Sequence, residues 1–295
     1  MGREADIETR RTIPRWIDQP LFTGVAELLD GADAYPSLDE LNRRLSHAPG
    51  ANELRFAAQT TELQADGLHY EERIARHGVI STREGNPHDL FNALVWLRHA
   101  PIKRAMNARQ VADIARVGRK QRTRGQCALT HFDEAGAIVW IASRELLAAW
   151  DAHDWKGLFA AHAAEWGNGI AITMIGHALY EYALVHGTMP VAKALAVEVD
   201  TSAIALRCES ASTISVWPEA EEFLAAEIAA GRVLADPQEL RPLPLAGIPG
   251  WQAGTLPDDF FETSPCFRPL RAGRRYPSPM VFEPRLDRKA EATGV

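Results

Sequence analysis

The sequence predicts an α+β fold: a mixed or antiparallel sheet with a central hairpin at about 128–143, and helices packed against it. Two β-rich runs, CALTHF and AIVWIAS, are joined by Asp133-Glu134-Ala135-Gly136, a turn in which Gly136 would supply a positive φ. Stretches with helical spacing and clear end signals surround them, among them NPHDLFNALVWLR and PEAEEFLAAEIAAG. Further short β-rich runs (ELRFAAQT, VIST, GIAITMIG, VAKALAVEVD, IALRC) lie between the helices.

In chain order, residues 1–11 read as a charged, mobile arm, followed by an irregular segment that packs Trp16 and Phe22 between prolines. TGVAELLD reads as a short helix. Ser37 and Glu40 form a capping box for a helix through Leu41 and Leu45, which stops near Pro49-Gly50. Tyr70, Ile74 and His77 share a helical face, with Gly78 as the left-handed residue after it. Asn86 and Pro87 are an N-cap and first-turn proline for a helix to about Arg98, and a second helix starts at Pro101. KQRTRGQ reads as an exposed loop. RELLAAW, DWKGLFAAHAAEWG, HALYEYALVHG and PEAEEFLAAEIAAG read as helices, the last with Pro218 at its start, acids in its first turn and Gly231 beyond its end. Beyond Gly231 the chain is rich in proline and aromatics without a period. One compact domain over 1–273 is expected, with 232–273 as an arm that wraps the body to bury Trp251, Phe260, Phe261 and Phe267, and 274–295 as a flexible tail.

The 295 residues hold 46% hydrophobic and 24% charged side chains, enough for a sizeable core. Cys127, Cys208 and Cys266 are far apart and make no CxxC pair, which points to a reducing compartment rather than a disulfide framework. The charged N-terminus has no apolar leader run and no long apolar span follows, so a cytoplasmic location without membrane association is expected. A net charge of −7 argues against a general nucleic-acid coat. Lys103 to Arg124 runs against that balance: eight basic residues around the single acid Asp113 give +7, leaving −14 elsewhere. The segment lacks interleaved aromatics, so a solvated or acid-paired face competes with a role in steering anions. GxGxxG, GxxxxGK[ST], GxSxG and the kinase motifs are all absent.

Three clusters carry chemistry. In the first, Arg83, Asn86, His88 and Asp89 crowd one helix start, and His88, Asn92 and Trp96 follow at i, i+4 and i+8 on one face. His88 and Asp89 could be metal ligands or an acid/base pair; Arg83 and the free N–H groups could hold an anion; or Asp89 could simply complement the helix dipole. The second is His177 and Glu181, at a spacing that permits a shared ion or a carboxylate that orients the imidazole, as well as an ordinary helix-face pair. The third is His131 with Asp133 and Glu134, a divalent-cation site or an acidic hairpin tip.

Taken together, NPHDLFNALVWLRHAPIKRAMN, CALTHFDEAG, GHALYE with a following AKAL, and PLPLAGIPGW resemble the bacterial domain-of-unknown-function family 3025, over roughly residues 21–271. The resemblance implies one family unit and no particular reaction. It carries over Asn86, Pro87, His88, Asp89, Asn92, Phe132, Asp133, Glu134, Gly136, His177 and Glu181, and implies an acid where this chain has Cys127, which is therefore no obligatory ligand. The overlap with the three clusters predicts that they converge. The resulting expectation is a metal-assisted hydrolase or lyase acting on a small anionic substrate, with a divalent metal as cofactor. Metal ligands would come from His88, Asp89, Asp133, Glu134 and His177, and catalytic roles from His88, Asp89, Asn92, Arg83 and Glu181. The alternative is a non-catalytic protein that binds phosphorylated ligands or nucleic acid through 103–124.

Overall fold

The computed structural model describes residues 18–29, 34–186, 190–210, 212–252 and 254–283. The fold is α+β. The helices used below are α1 (Leu38–Leu45), α2 (Tyr70–His77), α3 (Pro87–Arg98), α4 (Ala100–Val117), α5 (Arg124–Ala135), α6 (Arg144–Asp151), α7 (His177–His186) and α8 (Pro218–Ala229). The strands are β1 (Arg55–Ala58), β2 (Val79–Thr82), β3 (Gly136–Ile141), β4 (Ile170–Met174), β5 (Val191–Glu198), β6 (Cys208–Ser210), β7 (Thr213–Ile214), β8 (Arg241–Pro244) and β9 (Met280–Val281). β1 and β2 form a parallel pair. The main sheet is mixed, in the order β6-β7-β4-β3-β5-β8, with β9 also on β5.

The central strand is β3, buried at every residue, with β4 antiparallel on one side and β5 parallel on the other. Its alternation sends Ala137, Val139 and Ile141 into one apolar cluster and Ile138 and Trp140 into another. α3 and α7 cover the first face with Phe91, Leu94, Leu179 and Tyr180. α4, α5 and α8 cover the second with Ile102, Met106, Leu129, Phe132, Leu224 and Ile228. Because β3 and β4 run antiparallel with Ala137 opposite Met174, the end of α5 and the start of α7 meet at one end of the sheet. Gly136 O accepts from the N–H groups of Ile175 at 3.0 Å and Gly176 at 2.8 Å. A Cβ on Gly176 would lie 2.3 Å from Gly136 N, so only glycine permits that approach.

Several expectations are corrected. There is no hairpin over 128–143: CALTHFDEA belongs to α5, whose cap is Thr123 accepting from Gln126 N at 2.9 Å. Ala128, Leu129 and Phe132 make a buried helical stripe, and that burial outweighs the weak alternation of the run. Gly136 is extended (φ −75°), and its small size is needed because a Cβ would fall 2.1 Å from Phe132 O. Ile204 and Ala205 of IALRC lie in a short helix, Thr201–Ala205, with the strand starting only at Cys208. DWKGLFAAHAAEWG is not one regular helix but a π turn, Gly157–Ala161, followed by a 3-10 turn, Ala163–Glu165. The 232–273 segment supplies β8, antiparallel to β5, and buries Trp251 and Phe267. The tail is ordered as far as Glu283: β9 pairs with β5, Phe282 is buried, and Tyr276 OH lies 2.9 Å from His153 Nε2. Residues 284–295 and the N-terminal arm with Trp16 lie outside the described residues. Ser37 caps α1 by accepting from Glu40 N at 3.3 Å, while the Glu40 carboxylate pairs with Arg43 and Arg44 rather than returning to the cap.

Candidate metal centre and cavity

α3 begins as the sequence indicates. Asn86 Oδ1 accepts from Asp89 N at 3.1 Å and Pro87 occupies the first turn. This fixes His88 at the mouth of a cavity of about 500 Å³, with Asn92 and Trp96 of the same face also in its wall. His177 is the first residue of α7, 3% exposed, and its Nε2 lies 3.1 Å from His88 Nε2. Glu134, in the last turn of α5, brings Oε2 to 3.7 Å from His177 Nε2. Ligand atoms of His88, Glu134 and His177 all lie within 4.8 Å of one another.

Behind each imidazole stands a carboxylate. His88 Nδ1 is 2.8 Å from Glu181 Oε2, and His177 Nδ1 is 4.0 Å from Asp133 Oδ2. Donation to the Glu181 carboxylate requires the proton on His88 Nδ1, and in that neutral tautomer Nε2 keeps a lone pair. Burial pushes the His177 imidazole down to about 4, so it is neutral at pH 7. With its proton on Nε2 the His177 ring donates to His88, and among the described residues its buried Nδ1 then has no hydrogen-bond partner. Ligation of a cation by both Nε2 atoms would require the His177 proton on Nδ1, the side on which Asp133 stands.

Burial raises the Asp133 pKa, but Lys103 outweighs it and holds the carboxyl below its ordinary range. Lys103 is itself buried, paired with Asp133, bonded to Asn92 Oδ1 at 3.0 Å, and set over the Trp96 ring at 5.3 Å. Burial raises Glu134. Burial also pushes Asp89 up, but the Arg83 guanidinium overrides it: Asp89 accepts from Arg83 N at 2.6 Å, Nε at 2.9 Å and Nη2 at 2.8 Å.

The structure therefore brings together His88, Asp133, Glu134, His177 and Glu181, three stretches far apart in sequence. Asp89 is engaged by Arg83 and is not part of the cluster of ligand atoms formed by His88, Glu134 and His177. Glu181 contacts His88 on the facing helix rather than His177 of its own. Asp133 pairs with Lys103 and stands on the Nδ1 side of His177, opposite its Nε2. His131 is exposed and outside the cavity wall. The basic stretch is largely spent on the protein itself. Lys103, Arg116, Arg119 and Arg124 pair with acids, and Arg104 and Arg109 donate to backbone carbonyls. That weakens the reading of 103–124 as a phosphate or nucleic-acid surface. The three cysteines are free thiols.

The opposite cavity wall was not legible as a site. Asn107 Nδ2 donates to Glu71 O at 2.9 Å and Glu71 Oε2 at 2.5 Å, and Asn92 Nδ2 donates to Tyr70 OH at 2.9 Å. Gln110, Gln126, Thr130 and Arg122 complete it. The only signal was a buried face of α4 carrying Lys103, Asn107 and Gln110 at i, i+4 and i+7, which polar residues rarely occupy.

These features define an α+β protein with a paired-histidine cavity at one end of a mixed sheet. The chain belongs to the family described as "Protein of unknown function (DUF3025)", whose model matches residues 54–271, a start later than the Leu21 expected. No curated protein and no solved structure matches it. No described helix is long and apolar enough to cross a membrane.

Proposed function

We propose that His88, His177 and Glu134 bind one divalent cation, and that the chain is a metal-assisted hydrolase or lyase acting on a small charged substrate in the adjoining cavity. The carrying observation is the 3.1 Å gap between two Nε2 atoms whose Nδ1 atoms each face a carboxylate. Two nitrogens at ~2.0–2.1 Å from one tetrahedral ion sit roughly 3.3 Å apart. Little movement of either ring is needed. Three protein ligands leave a position open, as catalytic rather than structural sites do.

A divalent ion there polarises a carbonyl or phosphoryl oxygen and acidifies water. Glu181 and Asp133 hold the two rings in the tautomers that ligation requires, and Lys103 keeps Asp133 ionised. The cavity wall contains four acids (Glu71, Asp89, Asp133, Glu134) and four bases (Arg83, Lys103, Arg119, Arg122). With all four acids ionised these charges cancel, so a bound divalent ion leaves the site positive and favours a ligand with an anionic group.

The test is metal analysis of protein purified without chelators, followed by titration with Zn²⁺ and Co²⁺. One ion per chain is expected, with the visible bands of four-coordinate cobalt. Protein that takes up no stoichiometric ion from either titration overturns the proposal.

A further inference from the structure

We infer that the cavity is built for a zwitterion: Glu71 receives the ligand's ammonium group and Arg122 its carboxylate, while a third group reaches the histidine pair. The inference rests on the metal reading for that third group and for the partner of Glu134.

Its basis is an imbalance among the charges of the cavity wall. Asp89 has Arg83 and Asp133 has Lys103, while Glu134, 3.7 Å from the neutral His177, is a ligand of the proposed ion. Glu71 is the exception, for among the described residues no ion pair reaches it. Among the described residues only Asn107 bonds its carboxylate, at Oε2, so none of them donates to Oε1. The nearby donors are committed elsewhere: Lys103 to Asn92 and Asp133, and Gln110 Nε2 to Gln126 O and Thr130 Oγ1. On the basic side, Arg83 has Asp89, Lys103 has Asp133 and Arg119 has Glu72. Arg122 stands apart, with a 3.4 Å bond to Thr130 Oγ1 and, among the described residues, no acid in pairing distance. One wall thus carries an unmatched carboxylate and an unmatched guanidinium that do not pair with each other. Burial makes an unpaired charge on Glu71 costly, and a ligand ammonium removes that cost, while the exposed guanidinium of Arg122 pairs with the ligand's carboxylate.

Glu71 also shows the strain of lacking a cation. Desolvation pushes its carboxyl up to about 7; the Asn107 amide pulls it down, the Asp133 carboxylate pushes it up, and Lys103 and Arg122 lower it from a distance. An ammonium group at Oε1 therefore binds best where Glu71 is ionised, above neutral pH. From pH 6 to pH 8 the ionised fraction rises about tenfold, and the preference for an amine rises with it.

The experiment uses the full chain, with and without Zn²⁺, and calorimetry or ligand-observed NMR. The zwitterionic probes are β-alanine, 4-aminobutanoate and 5-aminopentanoate. Butanoate and butylamine are the single-charge controls. At least one zwitterion is expected to bind ten times tighter than both controls. Glu71→Gln, which retains an acceptor for Asn107, should erase its advantage over butanoate. Arg122→Gln, an exposed change, should erase its advantage over butylamine. Zwitterions no better than the controls, or an advantage that survives both substitutions, overturn the inference. If no metal binds but the zwitterion preference holds, the metal reading fails and this one stands.

Discussion

Two histidines eleven residues apart look alike and differ in what they can do. His88, in the first turn of α3, sets Nδ1 2.8 Å from a glutamate on α7. His99, just past the end of the same helix, sets Nδ1 3.1 Å from Glu221 on α8. Each pair joins two helices, and from sequence neither partner is evident. At His99 both partners are buried, Glu221 Oε1 has no partner among the described residues, and the adjoining cavity is only about 10 Å³, room for one water at most. At His88 the pair is about one-third exposed, and the other ring nitrogen meets a second histidine and a third carboxylate. A histidine–glutamate pair is therefore not a site in itself. What separates scaffold from centre is the far nitrogen and the space in front of it.

The sharpest break of this comparison is deletion of each ring. His88→Ala or His177→Ala should reduce bound metal from one per chain to none at micromolar free ion. His99→Ala should keep the metal but leave Glu221 buried and unpaired, a loss of about 3 kcal/mol in urea unfolding. An His99 variant that loses metal while an His88 variant retains it would reverse the assignment.

A smaller effect separates the two glutamates. Glu181→Gln leaves His88 in place but removes the negative charge that fixes its Nδ1 proton, so metal affinity should fall about 10- to 100-fold. With both partners part-exposed, its stability cost should stay within roughly 0.5 kcal/mol. Glu221→Gln should leave metal affinity within a factor of two. Competition with a chelating dye reads both.

Sequence reasoning reached one half of this site well. The Asn86 cap, Pro87, and the shared face of His88, Asn92 and Trp96 are local consequences of helical geometry, and all three of those side chains line the cavity. Gly78 likewise takes the left-handed conformation its position suggested. The other half depends on tertiary placement. Glu134 and His177 meet because β3 and β4 are antiparallel neighbours, and the same residues read as a hairpin turn and as one end of an HxxxE pair when taken locally. Burial decided CALTHF in favour of a helix. Lys103 counted as one more charge in a basic run, because its i, i+4, i+7 spacing with Asn107 and Gln110 does not by itself reveal an ammonium buried against Asp133 and Asn92. Glu71 was hidden for a similar reason: an acid in a helix's first turn ordinarily serves the dipole.

The gentlest probe concerns how α3 holds its two ends. At the His88 end, Asn86 Oδ1 caps Asp89 N, and Asp89 in turn receives three bonds from Arg83. At the His99 end no side chain caps, and the next helix starts at once with Ala100 and Pro101. Asn86→Ala should therefore cost about 1 kcal/mol of stability by freeing the first turn. If metal binding must first restore that turn, affinity falls by no more than the same free energy, about fivefold. Added metal should then recover part of the thermal stability that the variant lost. A stability loss with unchanged metal affinity would mean that Glu181, not the start of the helix, holds the His88 ring in place.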